Sequence, residues 1–148
     1  MTLWSGEQMS RYGLHRTGSA SYRQYLKSQQ WGFRRVRWFR DCRAKGYEPA
    51  CQVCGITLAE VDSLDLHHVS YAGVTWDDSA QRWSAQESHE DLMPMCRNHH
   101  EQLHRIMDGR KEFYGWGRRR ATVVVIARLI QRQQYLEHHF PKGQHDAR

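Results

Sequence analysis

The stretch Asp91-Leu92-Met93-Pro94-Met95-Cys96-Arg97-Asn98-His99-His100-Glu101-Gln102-Leu103-His104 places one cysteine and three histidines within nine residues. Cys96 and His99 have the two-residue gap of half a zinc knuckle, whereas His100 and His104 are i, i+4 and share one face of a helix. Two adjacent ligand pairs imply two metal ions. The same residues also spell H-E-x-x-H, in which His100 and His104 would bind zinc and Glu101 would serve as the base of a metalloprotease. The remainder of the chain has to decide between these readings.

Upstream, Cys51-Gln52-Val53-Cys54-Gly55 forms the other half of a knuckle. Two thiolates reach one ion, and the glycine lets the backbone turn tightly with its amides toward sulfur. With Cys96 and His99 it makes a closed site of three cysteines and one histidine. Cys42 is the alternative fourth ligand and would leave His99 free, but it falls on an apolar helical stripe and has no partner at knuckle spacing. Between the halves, Ser63-Leu64-Asp65-Leu66-His67-His68-Val69 alternates as a half-buried strand. Leu64, Leu66 and His68 point one way and Asp65, His67 and Val69 the other. Two neighbouring imidazoles on opposite faces can divide metal binding from proton transfer.

Net charge is +6, unevenly distributed. Residues 1–45 carry ten Lys/Arg against two acids, residues 46–95 one against nine, and residues 96–148 eleven against five. Acidic residues around the His and Cys cluster suit a cation, and basic flanks suit a polyanion such as nucleic acid. No apolar run approaches the length of a membrane span, and the N-terminal residues lack the pattern of a secretory signal. The expectation is a cytoplasmic protein with no membrane partner, in which reducing conditions make the cysteines ligands rather than bridges.

Residues 1–20, with scattered Gly, Ser and Thr, predict a loosely ordered arm. From Ser21 the pattern is helical, with Ser28 as N-cap of a second helix. There Trp31, Trp38, Phe39 and Cys42 form an apolar stripe, and Arg34, Arg37 and Arg40 gather on the other side. Trp76 to Trp83 predicts a hairpin whose second strand returns antiparallel. A helix begins near Arg97 and ends at Asp108-Gly109. Residues 118–140 contain no Gly or Pro; Thr122 to Ile126 is compatible with a strand, but the continuing apolar face favours a long helix. Arg118, Arg119 and Arg120 at its start oppose the helix dipole, which suggests phosphate contact unless they are a solvated cluster.

In order, the motifs read C-x-x-C, L-D-L-H-H-V, then D-L-M-P-M-C-x-x-H-H-x-x-x-H. Over residues 22–108 this resembles the HNH endonucleases with a ββα-metal active site, in the branch whose C-x-x-C pairs flank the catalytic residues. Tyr25-Leu26-x-Ser28-x-x-Trp31, His68-Val69-Ser70-Tyr71, and Glu87 with Asp91 extend the likeness. The resemblance implies an α+β fold: a small zinc-stapled ββα-metal (His-Me finger) core over 21–110, with N-terminal helices and a C-terminal helical extension over 111–148. It implies a metal-dependent endonuclease hydrolysing double-stranded DNA to 3′-hydroxyl and 5′-phosphate ends. His68 would be the general base, oriented by Asp91 in place of the motif's Asn, and His67, His100 and His104 would hold one divalent cation. Cys51, Cys54, Cys96 and His99 would hold a structural Zn2+, with His99 where Cys is usual. Mg2+, Mn2+, Ni2+ or Zn2+ would serve at the catalytic site, imidazole favouring the transition metals. Arg97 and Arg105 would lie near the phosphate, and Arg34, Arg37, Arg40, Arg118, Arg119 and Arg120 would contact nucleic acid. The rivals are the H-E-x-x-H protease and a catalytically silent zinc-stapled module that only binds nucleic acid.

Overall fold

A computed structural model describes residues 16–17 and 20–142. The expected arm over residues 1–20 therefore lies largely outside the described residues; its last part forms a small antiparallel ribbon, β1 (Arg16–Thr17) with β2 (Ala20–Ser21). The chain is mixed α+β. Helix α1 (Tyr22–Tyr25) leads into α2 (Gln29–Ala44), capped by the Ser28 hydroxyl, which accepts from the Trp31 amide. Strand β3 (Asp65–His68) is followed by the hairpin β4 (Val74–Asp77) and β5 (Arg82–Ala85). Strand β6 (Leu92–Met95), helix α3 (Arg97–Gly109) and the long helix α4 (Arg118–His139) complete the order.

Residues 76–83 form the expected hairpin, with Trp76 opposite Trp83 and the Asp77 carboxylate accepting from the Ser79 and Ala80 amides at the turn. Among the described residues this hairpin pairs only with itself. The partner of β3 is β6, with His67 opposite Met93 and His68 opposite Leu92. Period-two alternation fails to announce β6 because three of its four residues, Leu92, Pro94 and Met95, are buried.

The β3–β6 ribbon separates two cores. On one side, α1, α2 and the hairpin bury Tyr25, Trp31, Trp38, Cys42, Tyr71 and Trp83 around Leu66 and Leu92. On the other, α3, α4 and the cysteine knuckle bury Leu103, Met107, Phe113, Val125 and Leu129 around Met95. His67 and His68 therefore enter different environments although they are adjacent. No helix among the described residues is long and apolar enough to cross a membrane.

One side chain of α2 departs from the expected amphipathic division. Arg34 is 5% exposed, not on the solvent face with Arg37 and Arg40. It lies one helical turn before Trp38, so its aliphatic stem follows the apolar stripe while its guanidinium donates to the Glu87 carbonyl oxygen at 2.8 and 3.2 Å.

Candidate functional site

The knuckle forms where a turn meets a helix N-terminus. Cys51 to Cys54 turn on Gly55, whose φ of 73° is a left-handed conformation suited to glycine. Strand β6 delivers Cys96 to the N-cap of α3, and His99 follows in its first turn. The ligand atoms of Cys51, Cys54, Cys96 and His99 all lie within 4.8 Å of one another, so the four can hold a metal ion, consistent with structural zinc. His99 Nδ1 is 3.2 Å from Cys96 Sγ and 3.7 Å from Cys51 Sγ. Burial pushes the Cys96 thiol up to about 11. Burial also opposes ionisation of Cys51, but backbone amides of Cys54, Cys96 and Val53 converge on its sulfur and bring its pKa below the usual thiol value. A dication relieves the cost of holding several thiolates together, so the donor set fits zinc. Cys42 is in the opposite core and takes no part.

On the same α3–α4 side of the ribbon, His67, His100 and His104 form a second cluster whose ligand atoms also lie within 4.8 Å. Each imidazole has one nitrogen secured by the protein. His100 Nδ1 lies 2.9 Å from Asp65 Oδ2, His104 Nδ1 lies 3.0 Å from Asp108 Oδ2, and His67 Nε2 lies 3.0 Å from Thr122 Oγ1. The opposite nitrogens converge: His100 and His104 bring their Nε2 atoms to 3.1 Å, and His67 Nδ1 is buried with no hydrogen-bond partner. A buried, unpartnered imidazole nitrogen facing two others fits a cation, because it otherwise bears an uncompensated desolvation cost. Burial holds His67 well below the ordinary histidine range, with Arg118 adding to the effect, and lowers His100 against the opposing pull of Asp65. Neutral imidazoles are the form that ligates metal.

His68 sits on the other face of β3, stacked on Tyr71 with ring centroids 4.2 Å apart and tilted against Trp31 at 4.5 Å. Its Nε2 is 2.9 Å from Glu87 Oε1. Burial lowers its pKa and Glu87 opposes this. A cleft of about 340 Å³ joins the two faces at the strand's end, lined by Trp31, Asp65, His68, His100, His104 and Arg118 among others.

The carboxylate that meets the His68 ring is not that of Asp91, although the motif implied it. That carboxylate is Glu87; the Asp91 side chain pairs with Arg119, and its backbone carbonyl accepts from Val69 at 2.8 Å. The short helical turn His89–Asp91 carries Asp91 past the ring while Glu87, before the turn, points inward. Two arginines expected on nucleic acid are also committed elsewhere. Arg34 is buried against Glu87, and Arg118, 4% exposed, donates to the His68 carbonyl oxygen and lies over Tyr71. Arg37 reaches the Ala85 carbonyl, Arg40 pairs with Asp41, and Arg120 lies over Trp116 at 3.9 Å. Arg97, paired to Asp65 at 3.1 Å, is exposed on the cleft wall, and Arg105 is exposed on α3.

Asp65 was visible in sequence as the strand residue sharing the His67 face, and Asp108 as the i+4 neighbour of His104. Thr122 lies 55 residues from His67 and left no local signal. Glu101 is exposed and lines no part of the cleft, contrary to what a protease base requires. No family model, curated protein or solved structure matches the chain significantly.

Proposed function

We propose that the chain is a metal-dependent endonuclease of HNH type that hydrolyses phosphodiester bonds of DNA. The observation that carries this reading is the convergence of three braced imidazoles, two of them on the wall of the cleft that also receives His68. The β3–β6 ribbon followed by α3 supplies all four histidines, as a ββα-metal site requires. The resemblance of the motifs to that family supports the same reading.

His67, His100 and His104 would hold the catalytic divalent cation, which when bound supplies Lewis-acid stabilisation of negative charge at the phosphate. Imidazole ligation favours Mn2+, Ni2+ or Zn2+ over Mg2+. His68 receives the proton of the attacking water, a contribution of about 10²–10⁴-fold for a positioned general base. Burial keeps it neutral and therefore able to accept that proton. Arg97 at the cleft wall meets a phosphate oxygen, and exposed Arg37, Arg40, Arg105 and Arg120 provide weaker, sequence-independent attraction to the duplex backbone. Arg34 and Arg118 serve the fold instead.

The depth of His68, 3% exposed, favours one second reading, a zinc-stapled module that binds nucleic acid without cutting it. Incubation of supercoiled plasmid with Mg2+, Mn2+ or Ni2+ separates the two. The wild type nicks the plasmid and His68→Ala does not; a wild type that binds but never nicks, or a variant that nicks equally well, contradicts the endonuclease reading.

A further inference from the structure

The most fully enclosed charged group near the cleft is Glu87, and neither a metal site nor the core accounts for it. Its side chain is completely shielded from solvent, in the irregular segment between β5 and the turn at His89. Oε1 receives the Tyr25 hydroxyl and faces His68 Nε2 at 2.9 Å. Oε2 is buried without a hydrogen bond, 3.7 Å from Arg34 Nε. Arg34 also donates twice to the Glu87 backbone carbonyl, so the residue is anchored through both backbone and charge.

We propose that Glu87 is the positioning residue of the general base: it fixes the proton of neutral His68 on Nε2 and so leaves Nδ1 as the nitrogen that accepts a proton from water. This rests on the endonuclease reading for its catalytic meaning, although the tautomer assignment does not.

An ionised carboxylate is only an acceptor. Tyr25 and Arg34 favour the ionised form, the first by donating to Oε1 and the second by its charge. The nitrogen facing Oε1 must therefore carry hydrogen. Ring orientation is fixed separately, because Trp31 and Tyr71 flank the imidazole and Tyr25 meets its edge at 6.0 Å. With the ring clamped, Glu87 sets the tautomer through the nitrogen it faces. The same contact places a negative charge beside the imidazolium formed when Nδ1 accepts its proton. Tyr25 and Arg34 act one step further out, holding the carboxylate in place.

The test is ¹⁵N NMR of the zinc-loaded full chain labelled at histidine, wild type beside Glu87→Gln, with plasmid-nicking kinetics on the same samples. Wild-type His68 is expected as the Nε2–H tautomer. Glutamine keeps the shape; with its oxygen toward Arg34 its NH2 group faces Nε2 and the Tyr25 hydroxyl turns from donor to acceptor, so the variant is expected to move the proton to Nδ1. It should lose about 10²-fold or more in kcat with KM within about threefold of wild type and zinc content unchanged. An Nδ1–H tautomer in the wild type overturns the proposal, as does a folded Glu87→Gln that nicks at the wild-type rate. Should the variant fail to fold, the wild-type spectrum alone decides. That spectrum needs no substrate, so a protein that cuts no DNA defeats the proposed function while leaving the tautomer to be judged on its ring signals.

Discussion

His67 and His68 meet different partners because a β-strand turns consecutive side chains to opposite faces, one into the α3–α4 core and the other into the aromatic core of α1, α2 and the hairpin. That division was legible in the alternation of residues 63–69, as were the three-cysteine, one-histidine cluster and the pairing of His100 with His104. What bound the second nitrogen of each imidazole was less legible, because Thr122 and Glu87 reach their histidines across 55 and 19 residues. Thr122→Val strips His67 Nε2 of its partner and should weaken Mn2+ or Ni2+ binding about 10–100-fold in calorimetric titration without releasing the knuckle zinc; unchanged affinity means that Thr122 does not orient His67. His67→Ala should likewise retain one tightly held zinc by metal analysis, whereas Cys96→Ala should lose it. Loss of that zinc in His67→Ala contradicts two separate sites.

Among the elements, the hairpin carries more than packing. Gly73 lies against its far strand, and a Cβ there would meet the Gln86 carbonyl oxygen at 2.3 Å and the Glu87 nitrogen at 2.5 Å. The Gln86 amide donates to the Gly73 carbonyl at 2.9 Å, so the two segments cannot part without losing a backbone bond. Gly73→Ala should destabilise the chain by about 1–3 kcal/mol in denaturant unfolding, the usual cost of an overpacked contact, and should shift Glu87 from His68. A fully stable variant means that the backbone at residues 86–87 yields readily. Sequence patterning found both long helices and the hairpin because each is strongly periodic or bounded by turn residues. It missed the pairing of β3 with β6, since ladder partners more than 20 residues apart leave no local mark and β6 is buried with little alternation. It also placed Arg34 with Arg37 and Arg40 opposite the apolar stripe, whereas α2 brings Arg34, one turn before Trp38, over Glu87.

For the molecule as a whole, burial keeps His67, His68, His99 and His100 below the ordinary histidine range. Unfolded, these groups regain a pKa of about 6.5, so below that pH the unfolded chain binds more protons than the folded one. Stability is therefore full above about pH 6.5 and declines as pH falls through the lowered folded values. The Tm of the metal-free chain should drop steadily between about pH 7 and 5, and zinc should oppose the drop by binding only the folded state; a flat Tm contradicts the burial of neutral imidazoles. The alternation of basic, acidic and basic thirds, plain in the sequence, folds into a histidine cluster that could hold a cation with exposed arginines nearby, although burial of Arg34 and Arg118 makes the surface less basic than composition suggested. The proposed function requires the three-histidine cluster to be a hydrolytic centre separate from the cysteine knuckle. Its most direct test is plasmid nicking by protein holding one zinc, before and after Mn2+ is added, for wild type and His104→Ala. Nicking is expected only from the wild type and only after Mn2+, with equal zinc in both proteins; His104→Ala that nicks at the wild-type rate excludes the cluster as the hydrolytic centre.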